Sequence, residues 1–367
     1  MIKRILSGAL VLSATVLGQS AILQQSFLDR QPPPVSAAAK QEMESRLQNA
    51  RAEFEANPND PEAIIWLGRR LGYLGKFREA IEVFGNGAKK FRSDARFYRH
   101  RGHRYITVRQ FDRAVADFKK AAQLMRGKPD QIEPDGQPNA RNIPTSTLKF
   151  NIWYHLGLAY YLKGQNEKAL KAYRECLKFS DSPDRLVATS HWLYMTLRRL
   201  NRPEEAAKVL LPIRMGMDVI ENGGYYRLLL MYKGEIPFDT LADETKKQEA
   251  SAASHSIMYG LGNWQLHNGR KAEAADIFRQ IVGSEQWTSF GYIAAEQDLK
   301  RILQSVQGPK QQRSSFRGAT QADTNAGWEG RFTSAPDPLL STLNGRDIER
   351  GKTALSNLHL SGLELFQ

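Results

Sequence analysis

The sequence predicts an all-α fold, a solenoid of helix-turn-helix repeats, and a repeated spacing of small and aromatic residues is the main reason. Gly68 and Gly102 lie 34 residues apart, as do Ala80 and Ala114. The same pattern returns over residues 153–173 and 261–278, and a weaker copy covers residues 187–210. A period of this length is typical of repeats in which each unit stacks on the next.

The residue types within each unit fit two helices that pack closely. Small residues are expected where the helix axes cross, and large residues are expected between the crossings. Gly75, Gly164 and Gly269 fall just past the first helix, where glycine adopts a left-handed cap most easily. Asp60 followed by Pro61 is typical of a helix start. The crossing residues are Gly68, Gly102, Gly157, Ala80, Ala114 and Ala169, and the large ones include Leu67, Tyr160, Phe84, Phe118 and Tyr173.

This pattern resembles the tetratricopeptide-repeat (TPR) family. Its motif places a bulky residue before Leu-Gly, Tyr, Ala, Phe and Ala within a 34-residue helix-turn-helix. Trp153, Leu156-Gly157, Tyr160, Ala169 and Tyr173 follow that order. The resemblance implies a right-handed superhelical solenoid whose first helices line a concave groove.

Several positions depart from the motif. Arg101 stands where Leu is usual, and Arg109 stands where the turn glycine is usual. Asn201 replaces another turn glycine, which a left-handed position tolerates. Residues 223–247 predict two helices, one ending near Lys233-Gly234, without a motif that can be aligned.

The solenoid is expected to span residues 37–303. A helix over Ala37 to Ala56 precedes the first repeat, and a helix over Phe290 to Leu303 closes the array. A loop rich in Pro, Gly and Asp interrupts it at 126–147, and such long loops are often functional or disordered. Residues 305–367 are mostly polar and predict a largely disordered tail.

The N-terminus predicts export. Lys3 and Arg4 precede an apolar run from Ile5 to Leu17, and small residues follow up to residue 21. This layout is typical of a secretory signal peptide, and the alternative is an uncleaved membrane anchor. We therefore expect a periplasmic or secreted protein, with membrane contact only through this segment.

Composition limits the chemistry. Cys176 is the only cysteine among 367 residues, which excludes an intramolecular disulfide and a cysteine-based metal site. No phosphate loop, dinucleotide fingerprint, nucleophile elbow or zinc-protease motif occurs. We therefore expect no enzymatic activity, no cofactor and no metal site. The formal net charge of +13 suits acidic proteins, nucleic acid or anionic membranes.

A basic cluster marks the expected groove. Residues 89–120 hold eleven Lys or Arg against three Asp. They form either a solvated charged face or part of a groove for an acidic or C-terminal peptide. Ile65 and Leu158 stand where a carboxylate clamp known in some TPR domains would need cations, so that clamp is not predicted. The expected groove residues are Arg69, Tyr73, Arg96, Arg99, His103, Tyr154, Tyr161, His191 and Arg198.

The leading hypothesis is a scaffold that binds protein or peptide partners, including acidic ones, in this groove. The alternative is an accessory or glycan-binding domain that serves a cell-envelope enzyme, suggested by four tryptophans. Nucleic-acid binding inside the cell would require the N-terminal signal to be misread, and we do not expect it. The tryptophans are Trp66, Trp153, Trp192 and Trp264.

Overall fold

The computed structural model describes residues 27–307, so the predicted signal at 1–21 and nearly all of the tail lie outside the described residues. Residues 27–300 belong to one compact unit, and residues 301–307, which complete the last helix, begin a second. The described part is all-α, with one isolated bridge between Ile132 and Thr147. Its fourteen helices are α1 Ala37–Ala56, α2 Pro61–Tyr73, α3 Phe77–Lys90, α4 Ala95–Thr107, α5 Phe111–Leu124, α6 Leu148–Leu162, α7 Asn166–Leu177, α8 Pro183–Arg199, α9 Pro203–Val209, α10 Gly223–Tyr232, α11 Phe238–Lys246, α12 Ala252–His267, α13 Lys271–Val282 and α14 Phe290–Gln307.

Consecutive helices pack as pairs, and each pair packs on the next. The regular pairs are α2 with α3, α4 with α5, α6 with α7, and α12 with α13. Between the third and last of these, α8 packs on α10 and α10 packs on α12, so the row of first helices is continuous. The predicted all-α solenoid is confirmed.

The crossing glycines behave as the sequence predicts. A Cβ added at Gly157 would lie 2.6 Å from the Tyr173 ring, and one at Gly68 would lie 2.4 Å from the Phe84 ring. Real Cβ atoms do not approach carbon so closely, so a side chain at either position would push the paired helices apart. The aromatic ring of the second helix therefore fills the space that the missing side chain leaves.

The turns between paired helices also follow the motif. Gly75 and Gly164 have φ values of 73° and 72°, and Asn201 takes φ 55° in place of glycine. Arg109 occupies the same turn position with φ 60°, which is costly for a residue with a long side chain. Asp60 caps α2 by accepting from the Glu62 amide at 3.0 Å, as predicted.

Two segments differ from simple expectations. Residues 126–147, called the insert below, have a defined path and make buried contacts with α2 and α4. The predicted closing helix runs from Phe290 to Gln307, four residues beyond Leu303. Its first half does not merely cover the end of the array, because Phe290 reaches His103 in the second pair. No helix within residues 27–307 is long and apolar enough to cross a membrane.

Candidate functional site

The inner face of the first helix pairs brings the predicted groove residues together. Arg69 and His103 occupy equivalent positions one repeat apart, on α2 and α4, so packing of the repeats places them side by side. Tyr73 and Arg99 lie one turn away on the same two helices. With Arg104 they form what we call the inner cleft.

The insert closes the inner cleft with an acidic, extended stretch. The Glu133 carboxylate forms an ion pair with Arg99 at 2.8 Å, and both side chains are more than nine-tenths buried. Arg70 donates to the Gly136 carbonyl at 2.6 Å. Gly136 lies directly against the Tyr73 hydroxyl, since an added Cβ would meet it at 1.6 Å. The chain therefore fills its own cleft with residues 133–136.

A small, highly charged cavity of about 50 Å³ remains beneath the insert. Arg104 lines this cavity, is 7% exposed and forms no ion pair with a carboxylate among the described residues. Burial, together with Arg99 and Arg69, lowers its pKa to about 10. The Arg99 Nε also lacks a hydrogen-bond partner there. The cleft thus holds more positive charge than the insert neutralises locally.

Asp135, on the insert, lies at the edge of this cavity. Burial and the nearby carboxylates of Glu221 and Glu133 raise its pKa to about 7, while Arg69 opposes that shift. Its charge therefore changes near neutral pH. This places a titrating group at the contact between the insert and the cleft.

The far side of the insert is fixed to the loop before α10. Asn139 and Thr145 donate to the two Glu221 carboxylate oxygens at 2.8 and 2.6 Å. Asp184 in turn accepts from the backbone amides of Ile220, Glu221 and Asn222. The insert is consequently held by several contacts along its length and not by the cleft alone.

The remaining inner face is covered by the first half of α14. The Phe290 ring lies 5.4 Å from the His103 ring and 5.7 Å from the His155 ring. Asp298 accepts from the Tyr259 hydroxyl at 2.8 Å and pairs with Arg199 on α8. The first helices of four pairs therefore contact one helix of the same chain.

The hydrogen bonds of the Arg109 side chain account for an arginine at a turn position that has a left-handed backbone. Its Nε donates to Glu296 at 2.9 Å, and its Nη2 donates to the Trp287 carbonyl at 2.8 Å. Its guanidinium also stacks 4.3 Å from the Phe27 ring centroid. A glycine would relax the turn but would lose these bonds, so the arginine fixes α14 and the N-terminal segment to the second repeat.

Comparison with known proteins agrees with this geometry. The tetratricopeptide-repeat family matches residues 150–182, which form α6, α7 and their flanks. Together with the stacked pairs and their crossing glycines, this match identifies the fold. The described part of the chain is an all-α TPR solenoid.

The relatives match this chain over only part of their length. BBSome complex member BBS4 from Bos taurus is 27% identical over 159 residues, which is 42% of this chain and 26% of the relative. The Mus musculus protein of the same name is 24% identical over 157 residues, again 42% and 26%. The chain thus spans about a quarter of the length of these relatives.

Solved TPR structures are similar at low sequence identity. A tetratricopeptide repeat protein from Parabacteroides merdae is 13% identical, with a TM-score of 0.41, over 77% of this chain and 98% of that one. YrrB, described as a TPR protein with an unusual peptide-binding site, is 13% identical, with a TM-score of 0.37, over 70% and 97%.

Most predicted groove residues of the TPR array are buried. Arg96 and Arg198 keep partial exposure, and Arg96 pairs with Asp94 and Glu62 at 2.8 and 2.6 Å. Arg69 is also partly exposed and donates to the Tyr73 hydroxyl at 3.2 Å. In this conformation the others offer no surface to a partner: Tyr73, Arg99, His103, Tyr154, Tyr161 and His191.

His100, His103 and His191 are neutral, buried groups. Burial and the neighbouring arginines lower the pKa of His100 and His103 well below the usual value. His191 stacks 4.4 Å from the Tyr225 ring, and both its ring nitrogens lack partners. Within residues 27–307 no cluster of three or more potential metal ligands occurs.

The tryptophans do not form one open aromatic face. Trp192 is fully buried, and Arg69 and Arg70 cover Trp66 at 4.4 and 4.7 Å. Trp264 stacks on Tyr232 at 5.6 Å. Trp153 lines a sizeable groove on another side of the array.

Proposed function

We propose that this TPR protein is a non-catalytic scaffold whose groove, between Arg69 and Arg198, takes an acidic and extended segment of a protein partner. The family supports the coarser statement, since stacked TPR pairs serve protein–protein interaction. The buried Arg99–Glu133 ion pair supports the more specific proposal, that the groove takes an acidic segment. The groove already accepts an acidic stretch, and that stretch comes from the chain itself.

The contacts of the insert define the partner that would replace it. A carboxylate faces Arg99, a backbone carbonyl faces Arg70, and a residue without a side chain lies against Tyr73. Arg104 offers a further cation that the insert leaves without an ion pair. A partner with Glu or Asp near a glycine, and with one more anionic group, would meet these cations better than the insert does.

Binding in trans must displace the insert, so affinity depends on how firmly the insert is held. A segment tethered to its own groove competes at high effective concentration. Weakening the tethered contact should therefore raise the affinity for an added peptide, because less of the groove is occupied.

The test uses the full chain and a fluorescent peptide with the sequence of residues 128–143. Glu133→Ala should bind this peptide at least tenfold more tightly than the unchanged chain, because the insert has lost the carboxylate that pairs with Arg99. Lys128→Ala, at an exposed site of the insert, serves as the matched control and should change nothing.

Arg99→Glu added to Glu133→Ala should abolish the gain, since the peptide carboxylate then faces a like charge. Equal binding by a peptide in which Glu133 and Asp135 are replaced by Lys would refute the proposal. The absence of a measurable gain in a Glu133→Ala variant whose helicity is intact would also refute it.

We also propose that the protein is exported, on the strength of residues 1–21. A reporter that is active only outside the cytoplasm, fused after residue 36, should be active. Replacing Lys3 and Arg4 with Glu should reduce its activity. An inactive reporter with the unchanged segment would contradict export.

A further inference from the structure

A second groove lies outside the inner cleft, between α5 and α7, with α6 as its floor. We call it the outer groove. Its volume is about 860 Å³, far larger than the cavity under the insert. The partly exposed rings of Trp153, Tyr160 and Phe179 form its accessible floor, and Ile152 and Leu156 are buried at its base. Residues 133–136 of the insert and the residues of α14 do not line this groove.

Unpaired cations surround this apolar floor. Five cations form no ion pair with a carboxylate among residues 27–307. A sixth, Arg174, pairs with Glu205, which also pairs with Arg202. The only acidic residue along the described lining, Glu175, pairs with Lys178 at 2.7 Å. The five unpaired cations are Lys119, Arg126, Lys149, Lys168 and Lys171.

Two of these cations rest over aromatic rings. The Lys149 Nζ lies 5.3 Å from the Phe179 ring centroid, and the Lys168 Nζ lies 5.7 Å from that of Tyr160. Such contacts contribute only about 0.5–1 kcal/mol at exposed sites, so the ammonium groups can move to an anionic partner at small cost. The groove therefore combines a half-buried apolar floor with positive charge on both walls.

A solvated charged surface does not account for this combination. Ordinary exposed faces mix both signs of charge, and their apolar residues are scattered singly. Here the apolar residues are contiguous along α6, and acidic residues are nearly absent from the lining. Trp153 lies about half a helical turn from His155, which faces α14, so the outer groove and the inner face lie on opposite sides of α6.

We infer that the outer groove docks an acidic amphipathic helix of a protein partner. The apolar face of that helix would lie on the partly exposed rings of Trp153, Tyr160 and Phe179. Its Glu and Asp residues would pair with Lys119 and Arg126 on one wall and with Lys168 and Lys171 on the other. This is recognition of a helix in a groove, with electrostatic complementarity at the rim.

The TPR fold favours protein over nucleic acid or glycan as the occupant, because stacked TPR pairs serve protein–protein interaction, so this step rests on the proposed function. The Leu or Met side chains of a helix would cover the partly exposed rings by ordinary apolar packing. Bases of single-stranded nucleic acid would stack on the same rings, so the experiment includes oligothymidylate as a competing ligand.

The experiment uses the full chain and a labelled 18-residue peptide, with Leu at helical spacing i, i+3, i+4 and i+7 and Glu elsewhere. Fluorescence anisotropy should detect saturable binding. Lys168→Glu combined with Lys171→Glu should weaken it at least tenfold. Lys208→Glu with Arg214→Glu makes the same change of charge at exposed sites outside the groove and should have no more than a twofold effect.

Trp153→Ala, checked for unchanged helicity, should weaken binding without altering charge, which separates packing on the floor from attraction at the rim. No saturable binding of the peptide would overturn the inference. Equal binding of a scrambled peptide of the same composition would also overturn it. Tighter binding of oligothymidylate or heparin, lost in the Lys168 and Lys171 variant, would assign the groove to another class of ligand.

Discussion

The neutral state of His191 makes the TPR array sensitive to acid. Its ring is fully buried in α8, stacked on Tyr225, and neither nitrogen has a partner. Burial lowers the pKa of His191 from 6.5 to about 3. The unfolded chain therefore binds a proton at this position well before the folded chain does. Stability is fully present above pH 6.5 and is lost as pH falls towards 3.

The size of this effect follows from linkage. With pKa values of 6.5 unfolded and about 3 folded, His191 should contribute a loss of about 1.3 kcal/mol in the free energy of unfolding between pH 7.5 and 5.5. His255, with a pKa lowered to about 4 by burial, acts in the same direction. The unchanged protein should therefore lose more than His191 alone accounts for.

The perturbation is His191→Phe, which keeps a flat ring in the stack and removes the titrating group. Urea unfolding of the full chain, followed by circular dichroism at pH 7.5 and 5.5, gives the loss for each variant. The loss should be about 1.3 kcal/mol smaller in His191→Phe, whatever its absolute stability. Tyr225→Phe alters the same stack but keeps the imidazole, so it should retain the full loss. An equal loss in His191→Phe and the unchanged chain would refute the reasoning.

Three further changes have expected outcomes. Gly157→Ala should lower the free energy of unfolding by about 1–3 kcal/mol through overpacking, whereas Gly85→Ala, where an added Cβ meets nothing nearer than 3.5 Å, should be neutral or stabilising in the same urea assay. Asp298→Ala leaves a buried guanidinium without its carboxylate and should cost about 3–5 kcal/mol, against less than about 1 kcal/mol for Asp276→Ala in an exposed pair. The raised pKa of Asp135, about 7, means that protonation favours the closed insert, so the protection factors of the insert amides, which are corrected for the pH dependence of intrinsic exchange, should be higher at pH 6 than at pH 8, and Asp135→Asn should remove that difference.

The repeats could be predicted because their determinants are local. A glycine at a crossing and an aromatic ring 16 residues later, such as Gly157 and Tyr173, fix how two adjacent helices pack. The turn positions likewise require a left-handed backbone, and Gly164 and Asn201 supply it. Even residues 223–247, which lack the motif, form the two predicted helices because their apolar residues still have helical spacing.

The covering of the groove could not be predicted from this pattern. The buried pair of Arg99 and Glu133 joins residues 34 positions apart through a loop that carries no repeat signal. Arg109 did give a signal, since a long side chain at a glycine position needs a reason. The partner of Arg109 is Glu296, which lies 187 residues away in the sequence. Their contact depends on how the repeats stack between them, which no local pattern specifies. The acidic residues of the insert were the other indication that the insert covers the groove, because α4 is basic.

The structure therefore divides the surface of the TPR array into two kinds of region. The inner cleft is complete only with the insert in place, since opening it would expose Tyr73 and remove the carboxylate from the buried Arg99. A partner there must offer both an anion and apolar contact, which makes binding selective and slow to begin. Binding in the outer groove displaces no segment of the chain, because the lysines that line it form no ion pair that a partner would have to break.

A partner with an acidic helix and an acidic extended segment could thus dock first on α6 and then compete with the insert at raised effective concentration. If this order holds, Lys168→Glu with Lys171→Glu should slow the association of such a partner more than it speeds its dissociation, whereas Arg99→Glu should chiefly speed dissociation.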